Sequence, residues 1–520
     1  MNNIILALLA VVFWLIGIYA MANRIRRSKH FSLYGPALMV KTSKNRNILD
    51  RIASRFPAVG FSKLSVAMFL IWGILSLTFL IYEAYLISQV HVATSPPLNE
   101  YLAIPGINPA IPVIYGTVAL FIAVVLHEMM HGVVARKHGI NVKSVGGLFF
   151  IVPLGAFVEP DQDEISKADP VVRRRIFASG AGINIIITLV SFLLIVGAFM
   201  PAAQPTHSGF YVSSVDSAFG QNSSLTAHVE VLSIGGVSGE QLGSLYLNSQ
   251  FTPGKKVSVQ IYSDHRVSNL TVPAGVVIDG LYPGFPAAKA GVPPGSIVYA
   301  LDGVVIKNLT SLSSYLDSVK PLSFVNLTVI SYSGGHFSGE HFRNYTLQTV
   351  SKYSFYQKYE PSANSVNYRD ESFIGIAISY MGMTGIPIEQ MKPIIFGYSA
   401  VSDFPVGIFQ MLSLPFQGLS PVPSYLTNLF TVPGPGWFFW GSVNTLYWLF
   451  YINLLLALLN TLPAAILDGG QFFKDTFKIA SRHRIFRSLR DERLVTLISN
   501  SLTMLVVFLF FYMIIGPRIS

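Results

Sequence analysis

The sequence predicts a polytopic α-helical membrane protein with about six transmembrane helices and one inserted, extracytoplasmic α+β region. Apolar residues make up 51% of the 520 residues, charged residues only 12%, and the mean hydropathy is +0.51. Soluble globular proteins carry about twice that share of charged residues. Several apolar stretches also reach the roughly 20 residues that a helix needs to cross the hydrocarbon layer. A long polar stretch between them predicts the inserted region.

Six segments are candidates for transmembrane helices. Five of them are continuous, at about 3–22, 65–90, 110–133, 176–200 and 495–516. The sixth, at 437–462, is long enough but is interrupted by Asn444, Asn453 and Asn460. Segment 393–436 is also apolar in large part, but prolines, glycines and Asp403 interrupt it. We interpret that segment as re-entrant or interfacial.

The distribution of positive charge predicts the orientation of these segments. Of the 36 Lys and Arg residues, 24 lie in segments 23–64, 134–175 and 471–493, which hold nine acidic residues. The positive-inside rule places such loops in the cytosol. Positive residues follow the first apolar segment rather than precede it, so we expect a retained anchor with its N-terminus outside. The net charge of +10 is then a topology signal, and no nucleic-acid partner is predicted.

The insert at 201–392 is expected to be extracytoplasmic, because its 11 basic and 12 acidic residues nearly balance. Within it, "PAAKAGVPPGSIV" (286–298) and the following "LDG" resemble a PDZ domain of the bacterial protease-associated type, with Ser296 where Asp is common. Segments 229–245 and 253–272 together look like the second half of another copy. We therefore expect tandem PDZ-like modules at about 205–274 and 275–350, each with a groove for a peptide ligand.

The segment "IAVVLHEMMHG" (122–132) places two histidines and a glutamate in an apolar run. In a helix, His127 and His131 lie about 6 Å apart on one face, close enough to share one zinc ion. Glu128 is then positioned to activate water. A charged side chain deep in the bilayer costs at least ~2.5–3.5 kcal/mol, so such groups are functional by default. The chain has no cysteine, which leaves histidine and carboxylate as ligands.

A catalytic zinc ion takes three protein ligands and keeps one open position. Glu83, Asp403 and Asp468 are the acids in apolar stretches that could supply the third. Asp468 is favoured, because it lies in "NTLPAAILDGGQ" (460–471), where two glycines break the apolar pattern. Asp468 precedes Lys474 by six residues. His127 likewise precedes Arg136 by nine residues. Both motifs therefore approach the cytosolic end of their segments.

These residues resemble the site-2 protease family of intramembrane zinc metalloproteases, in its PDZ-bearing, prokaryotic branch. "HEMMH" matches the family's HExxH motif, and "NTLPAAILDG" matches its N-x-x-P-x-x-x-L-D-G motif. "GLFFIVPLGAFVEP" (147–160) is similar to the family's membrane-re-entrant β-hairpin, and "SGAGINIIITL" (179–189) to its small-residue helix with an asparagine. The resemblance covers about 110–200 and 437–475.

The resemblance implies hydrolysis of peptide bonds within transmembrane segments of other membrane proteins, in regulated intramembrane proteolysis or in the clearance of remnants. It implies one Zn²⁺, held by His127, His131 and Asp468, with Glu128 as the catalytic residue. Asn184 and Asn460 are candidate contacts for the substrate backbone or oxyanion, or else hydrogen bonds between helices. The strand-like Gly155, Ala156 and Phe157 are candidates for pairing with the substrate. The expected partners are transmembrane substrates and the lipid bilayer.

These expectations define a domain organisation. Segment 1–108 holds the N-terminal helices and a basic loop, 109–200 the first half of the catalytic core, 201–392 the insert, 393–436 the re-entrant or interfacial region, 437–475 the second half of the core, and 476–520 a basic segment and the last helix.

Three other hypotheses are open to this sequence. An inactive PDZ-containing membrane scaffold would tolerate the loss of Glu128 or Asp468. A membrane-anchored protease of the external space would carry HExxH in the insert, where it is absent. A transporter with a metal site would show repeated halves and several gated polar helices, and the sequence shows neither. Two histidines and an aspartate would also bind Co²⁺ or other divalent ions.

Overall fold

The computed structural model describes residues 2–519 apart from 29, 43–45, 90–96, 102–103, 151, 224, 240, 264, 335–336, 360–365 and 404–405. The chain forms two compact units. We call Met1–Ile195 together with Gly441–Ser520 the helical unit, and Val196–Trp440 the β unit.

The helices of the described chain are α1 (Asn2–Arg26), α2 (Arg46–Arg55), α3 (Ala58–Gln89), α4 (Val113–Lys137), α5 (Gln162–Lys167), α6 (Pro170–Leu194), α7 (Met200–Ala202), α8 (Ser217–Ser223), α9 (Gln241–Asn248), α10 (Pro286–Lys289), α11 (Leu309–Ser318), α12 (Lys352–Tyr359), α13 (Ile388–Ile395), α14 (Ser399–Ser402), α15 (Val406–Ser413), α16 (Ser424–Thr427), α17 (Gly436–Thr461), α18 (Asp468–Ala480) and α19 (Glu492–Ile519). A π-helical turn, Ile195–Phe199, joins α6 to α7.

The strands are β1 (Phe31–Tyr34), β2 (Ala37–Thr42), β3 (Val142–Phe150), β4 (Val152–Pro160), β5 (Gln204–Pro205), β6 (Phe210–Val215), β7 (Val229–Ile234), β8 (Val237–Ser238), β9 (Lys256–Ser263), β10 (Arg266–Pro273), β11 (Val276–Leu281), β12 (Ile297–Leu301), β13 (Val304–Val305), β14 (Phe324–Gly334), β15 (Ser338–Gln348), β16 (Val350–Ser351), β17 (Ser372–Phe373), β18 (Ile376–Tyr380), β19 (Met383–Pro387) and β20 (Phe430–Thr431).

Five helices of the described chain are long and apolar enough to cross a membrane: Ala58–Ser88, Val113–Lys137, Pro170–Ala202, Gly436–Thr461 and Glu492–Arg518. They lie at five of the six predicted positions. The helix predicted at 65–90 begins at residue 58, because residues 58–64 are helical although Lys63 lowers their hydropathy. At the remaining predicted position, the described apolar part of α1 is shorter, Val12–Ile25. The number of membrane spans therefore stays a prediction.

Helix α6 packs closely against its neighbours because small residues line it. Its N-terminus is capped by Asp169, whose side chain accepts a hydrogen bond from the backbone N–H of Val171. A Cβ on Gly182 would lie 2.3 Å from Ser65 Oγ on α3. Such small-residue contacts let helix backbones approach each other where lipid provides no hydrophobic driving force. Side chains on α6 therefore reach the interior of the helical unit.

Strands β1 to β4 form an antiparallel sheet in that order within the helical unit. The expected hairpin at 147–160 is present and starts earlier, at Val142. The second hairpin, β1–β2, lies in the basic segment 23–64 and was not predicted; it pairs through Leu38 opposite Phe149. Strand β4 is at the edge of this sheet and packs on α4, where Gly132 leaves room for Val158.

The β unit contains one sheet of 12 strands, with the main path β10-β9-β7-β6-β19-β18-β11-β12-β14-β15. Both expected modules, 205–274 and 275–350, contribute strands to it. One cluster of buried apolar side chains draws on both modules, and a second lies within residues 276–376, so the division into two modules stays a prediction. The sheet also includes β18 and β19, beyond residue 350. Segment 393–436 contributes short helices and β20, which pairs with β5. Insertion of this segment into a membrane stays a prediction.

Candidate metal centre

Two histidines and one aspartate come together inside the helical unit. His127 and His131 lie one turn apart on α4 and are 7% and 9% exposed. Their Nε2 atoms are 3.1 Å apart, and Oδ2 of Asp468 lies 3.1 Å from each. Within the described residues, these three side chains form the one group with the geometry of a metal site.

This donor set fits a zinc ion. Zinc–ligand bonds of about 2.0–2.2 Å at tetrahedral angles put neighbouring donor atoms roughly 3.3–3.5 Å apart. The separations of 3.1 Å among His127, His131 and Asp468 are close to this value. Two imidazoles and one carboxylate also leave the fourth position open, as in catalytic zinc sites.

Two glycines allow Asp468 to reach the histidines. Asp468 is the first residue of α18, which follows the loop after α17. A Cβ on Gly469 would lie 2.0 Å from the backbone oxygen of Leu462, and one on Gly470 would lie 2.4 Å from that of Ala464. Backbone atoms cannot move aside as the end of a side chain can. Both glycines are therefore required for the tight approach of the loop to the first turn of α18.

A buried ion pair connects α18 to α6. Nε of Arg173 on α6 lies 3.1 Å from both carboxylate oxygens of Asp475, and Nη2 of Arg173 donates to Oδ1. Asp475 is 4% exposed. Asp475 lies two turns after Asp468 on α18. Two parallel donors hold a carboxylate in a defined orientation. The ion pair therefore helps to orient the helix that carries Asp468.

Helix α6 lies directly behind the two histidines. Nδ1 of His131 is 2.8 Å from the backbone oxygen of Ile176. The side-chain amide of Asn184, which is fully buried, lies 3.2 Å from Nδ1 of His127. Between them, a Cβ on Gly180 would lie 2.3 Å from Nε2 of His131 and 2.6 Å from Nε2 of His127. These three positions are spaced by four residues, so one helix face supports the centre.

We expect Gly180→Ala to abolish metal binding. Its methyl group would be far inside van der Waals contact with both ligand nitrogens, and the metal-bound geometry tolerates little displacement. Metal content after purification, measured by elemental analysis, checks this. Gly60→Ala is the matched control, because a Cβ on Gly60 meets nothing within 4 Å. Full metal content in a folded Gly180→Ala protein would contradict the close approach of α6.

Glu128 lies next to the first histidine and faces the edge strand β4. Its Oε2 accepts a hydrogen bond of 3.3 Å from the backbone N–H of Val158. Backbone groups in an antiparallel strand alternate between the two sides. Because the N–H of Val158 points away from β3, the backbone groups of Ala156 point to the same open edge. Within the described residues, β3 is the one strand that pairs with β4.

The other predicted site residues lie elsewhere. Glu83 is a half-buried residue of α3, and Asp403 is exposed in the β unit and accepts a hydrogen bond from Ser402. Neither belongs to the group with the histidines. The amide nitrogen of Asn460 donates to the backbone oxygen of Leu456 within α17. Sequence reasoning did not single out Gly180, although "SGAGIN" marked this helix as rich in small residues.

Comparison with known proteins finds a peptidase family whose model matches the chain and individual proteins that are similar to it. The model of peptidase family M50 matches residues 115–506, which include both halves of the metal centre. An uncharacterized protein of Methanocaldococcus jannaschii is 28% identical over 192 residues, which are 37% of this chain and 50% of that protein. The chain therefore spans about half the length of this curated relative.

Proposed function

The chain belongs to peptidase family M50, the site-2 protease family, and from this premise we propose that it is an intramembrane zinc metalloendopeptidase. Its substrates would be transmembrane segments of other membrane proteins, cleaved in regulated proteolysis or in the clearance of remnants. The observation that carries the proposal is the convergence of His127, His131 and Asp468 within 3.1 Å, in a unit built from long apolar helices.

His127, His131 and Asp468 would hold the zinc ion. When bound, zinc would supply a Lewis acid that polarises the scissile carbonyl and acidifies water. Glu128 takes the proton from the attacking water and gives it to the leaving amine nitrogen. The N–H of Val158 orients one oxygen of this carboxylate. The other oxygen, Oε1, accepts no hydrogen bond that the described residues show, and it is suited to move the proton.

The edge of β4 is proposed to hold the substrate in an extended form. A peptide bond inside an intact helix is shielded by helical hydrogen bonds, and unwinding it in lipid leaves donors and acceptors unpaired. An edge strand satisfies those groups by pairing with them. Ala156 offers its backbone to that edge, flanked by Gly155 and Phe157, which pair with β3. Asn460 is kept as a candidate substrate contact.

Cleavage of a model transmembrane peptide in liposomes tests the function. We expect chelator-sensitive hydrolysis that zinc restores. Gly or Pro near the scissile bond should accelerate it, and a Leu-rich stretch should slow it, because the substrate must unwind. A rate unaffected by the removal of metal would contradict the proposal.

We propose the topology from the charge distribution. Arg136 and Lys137 end α4, and Lys474 follows Asp468 by six residues, so the metal centre would lie toward the cytosolic side. The N-terminus and residues 201–392 of the β unit would then be extracytoplasmic. Segments 23–64, 134–175 and 471–493 would face the cytosol.

The β unit is proposed to bind peptides through a PDZ-like groove. Strand β18 pairs with β11 along its length, but with β19 only through Tyr380 opposite Met383. Among the described strands, none pairs with the other edge of residues 376–379. Leu312 and Leu316 of α11 are buried in the same apolar cluster as Ile376. A strand edge beside a helix is the arrangement in which an added peptide gains both hydrogen bonds and side-chain contacts.

Removal of the β unit should change substrate choice and leave the chemistry intact. Strands β5 and β20 pair with each other, and the N–H of Thr206 donates to the oxygen of Leu429. Residues 206–429 can therefore be replaced by a short Gly-Ser linker. We expect this protein to bind zinc and cleave a short model peptide, but to discriminate less between substrates with large and small external domains. Complete loss of zinc from the folded deletion protein would contradict this role.

A further inference from the structure

Each ligand histidine has a partner for its second ring nitrogen on α6. Nδ1 of His131 is 2.8 Å from the backbone oxygen of Ile176. A carbonyl oxygen only accepts hydrogen bonds, so this Nδ1 carries the proton and Nε2 keeps its lone pair for a metal. The His131 tautomer therefore suits metal binding.

The partner of His127 is the side-chain amide of Asn184, which can present either its nitrogen or its oxygen to the ring. Nδ1 of His127 lies 3.2 Å from Nδ2 of Asn184, while Oδ1 of Asn184 is buried and has no hydrogen-bond partner among the described residues. A donating Nδ2 would require Nδ1 of His127 to be the acceptor, which moves the imidazole proton to Nε2. A protonated Nε2 has no lone pair for a metal. The amide oxygen and nitrogen exchange places by a half-turn of the side chain.

We propose that Asn184 is a positioning residue whose side-chain oxygen accepts the Nδ1–H of His127 and so keeps Nε2 of His127 free to bind the metal. In this orientation α6 supplies an acceptor to both histidines, with Gly180 between them. Asn184 is fully buried. It faces Nδ1 of His127, whereas Nε2 of the same ring faces His131 and Asp468. That position favours contact with the histidine over contact with substrate.

The inference rests on the proposed metal site, and its effect is measured as metal affinity. Partners of this kind fix the tautomer and ring orientation of a ligand histidine, and their loss typically lowers metal affinity 10–100-fold. A residue that only packs α6 against α4 would change thermal stability without selectively changing metal affinity. The two roles are therefore separable.

Two substitutions of similar size test the proposal. Asn184→Asp keeps an acceptor and removes the donor, and Asn184→Leu removes both. With zinc affinity measured by competition with a chelator, we expect a 10–100-fold loss for Asn184→Leu and an affinity close to that of the unmodified protein for Asn184→Asp. The melting temperature of each metal-free protein is measured in parallel.

Unchanged affinity in Asn184→Leu would overturn the proposal, and so would an equal loss in both variants. If the unmodified protein bound no zinc, the proposed function itself would fail. Should Asn184→Asp not fold, ¹⁵N-histidine NMR of the zinc-loaded, unmodified protein decides. The Nδ1 proton of His127 should resonate downfield and exchange slowly with solvent, and exchange as fast as that of exposed histidines would overturn the proposal.

Discussion

Glu128→Gln should retain one zinc ion per chain and lose hydrolysis by about 10²–10⁴-fold, the usual contribution of a general base. The glutamine amide has nearly the same shape and can still accept from the N–H of Val158. It cannot take a proton from water at neutral pH. His127 and His131 are unchanged, so the metal should stay. Elemental analysis and the rate of cleavage of a transmembrane peptide, measured on the same sample, check both halves of this prediction.

The retained zinc is the control for Glu128→Gln, because it shows that the centre is still assembled. Zinc at one per chain with undiminished turnover would remove Glu128 from the mechanism.

Asp468→Ala should lower zinc affinity by at least the 10–100-fold that is typical of losing a residue that only supports a ligand. The carboxylate is the one charged donor in the group, and Oδ2 lies 3.1 Å from both imidazoles. Its loss leaves two neutral nitrogens to hold a divalent ion. Cleavage should fall in parallel with zinc occupancy and should recover in part at high zinc concentration.

Glu83→Ala and Asp403→Ala are the matched controls for Asp468→Ala. Each removes one carboxylate from outside the group of His127, His131 and Asp468. We expect both to keep zinc and activity. If either of them lost the metal while Asp468→Ala kept it, the ligand set would be wrong.

The sequence predicts the group of His127, His131 and Asp468 because the signals of this group are local or chemical. The spacing of His127 and His131 is a property of one helix, and it needs no tertiary information. Asp468 followed from the scarcity of acids in apolar segments. The five apolar helices followed from hydropathy, which reflects the lipid-facing surface.

The sequence could not predict features that depend on contacts between distant segments. Strands β1 and β2 lie in a short basic segment; β2 pairs with the edge of β3, and β1 pairs with β2. Gly180 has no Cβ, and this leaves room for the imidazoles of His127 and His131. In the large sheet, β18 pairs with β11 and β19 pairs with β6, so residues beyond 375 pair with strands that begin as early as residue 210. Such pairings leave no local pattern in the sequence.

The position of the scissile bond tests the central claim most directly. His127 lies nine residues before Arg136, about 13 Å at 1.5 Å per residue. A substrate helix that reaches this depth should be cut in the cytosolic half of its transmembrane segment. Mass spectrometry of both products from a transmembrane peptide in liposomes gives the bond. A cut inside the segment, in its cytosolic half, is the result we predict, whereas a cut in the external half or in the soluble flank would contradict both the topology and the intramembrane mechanism.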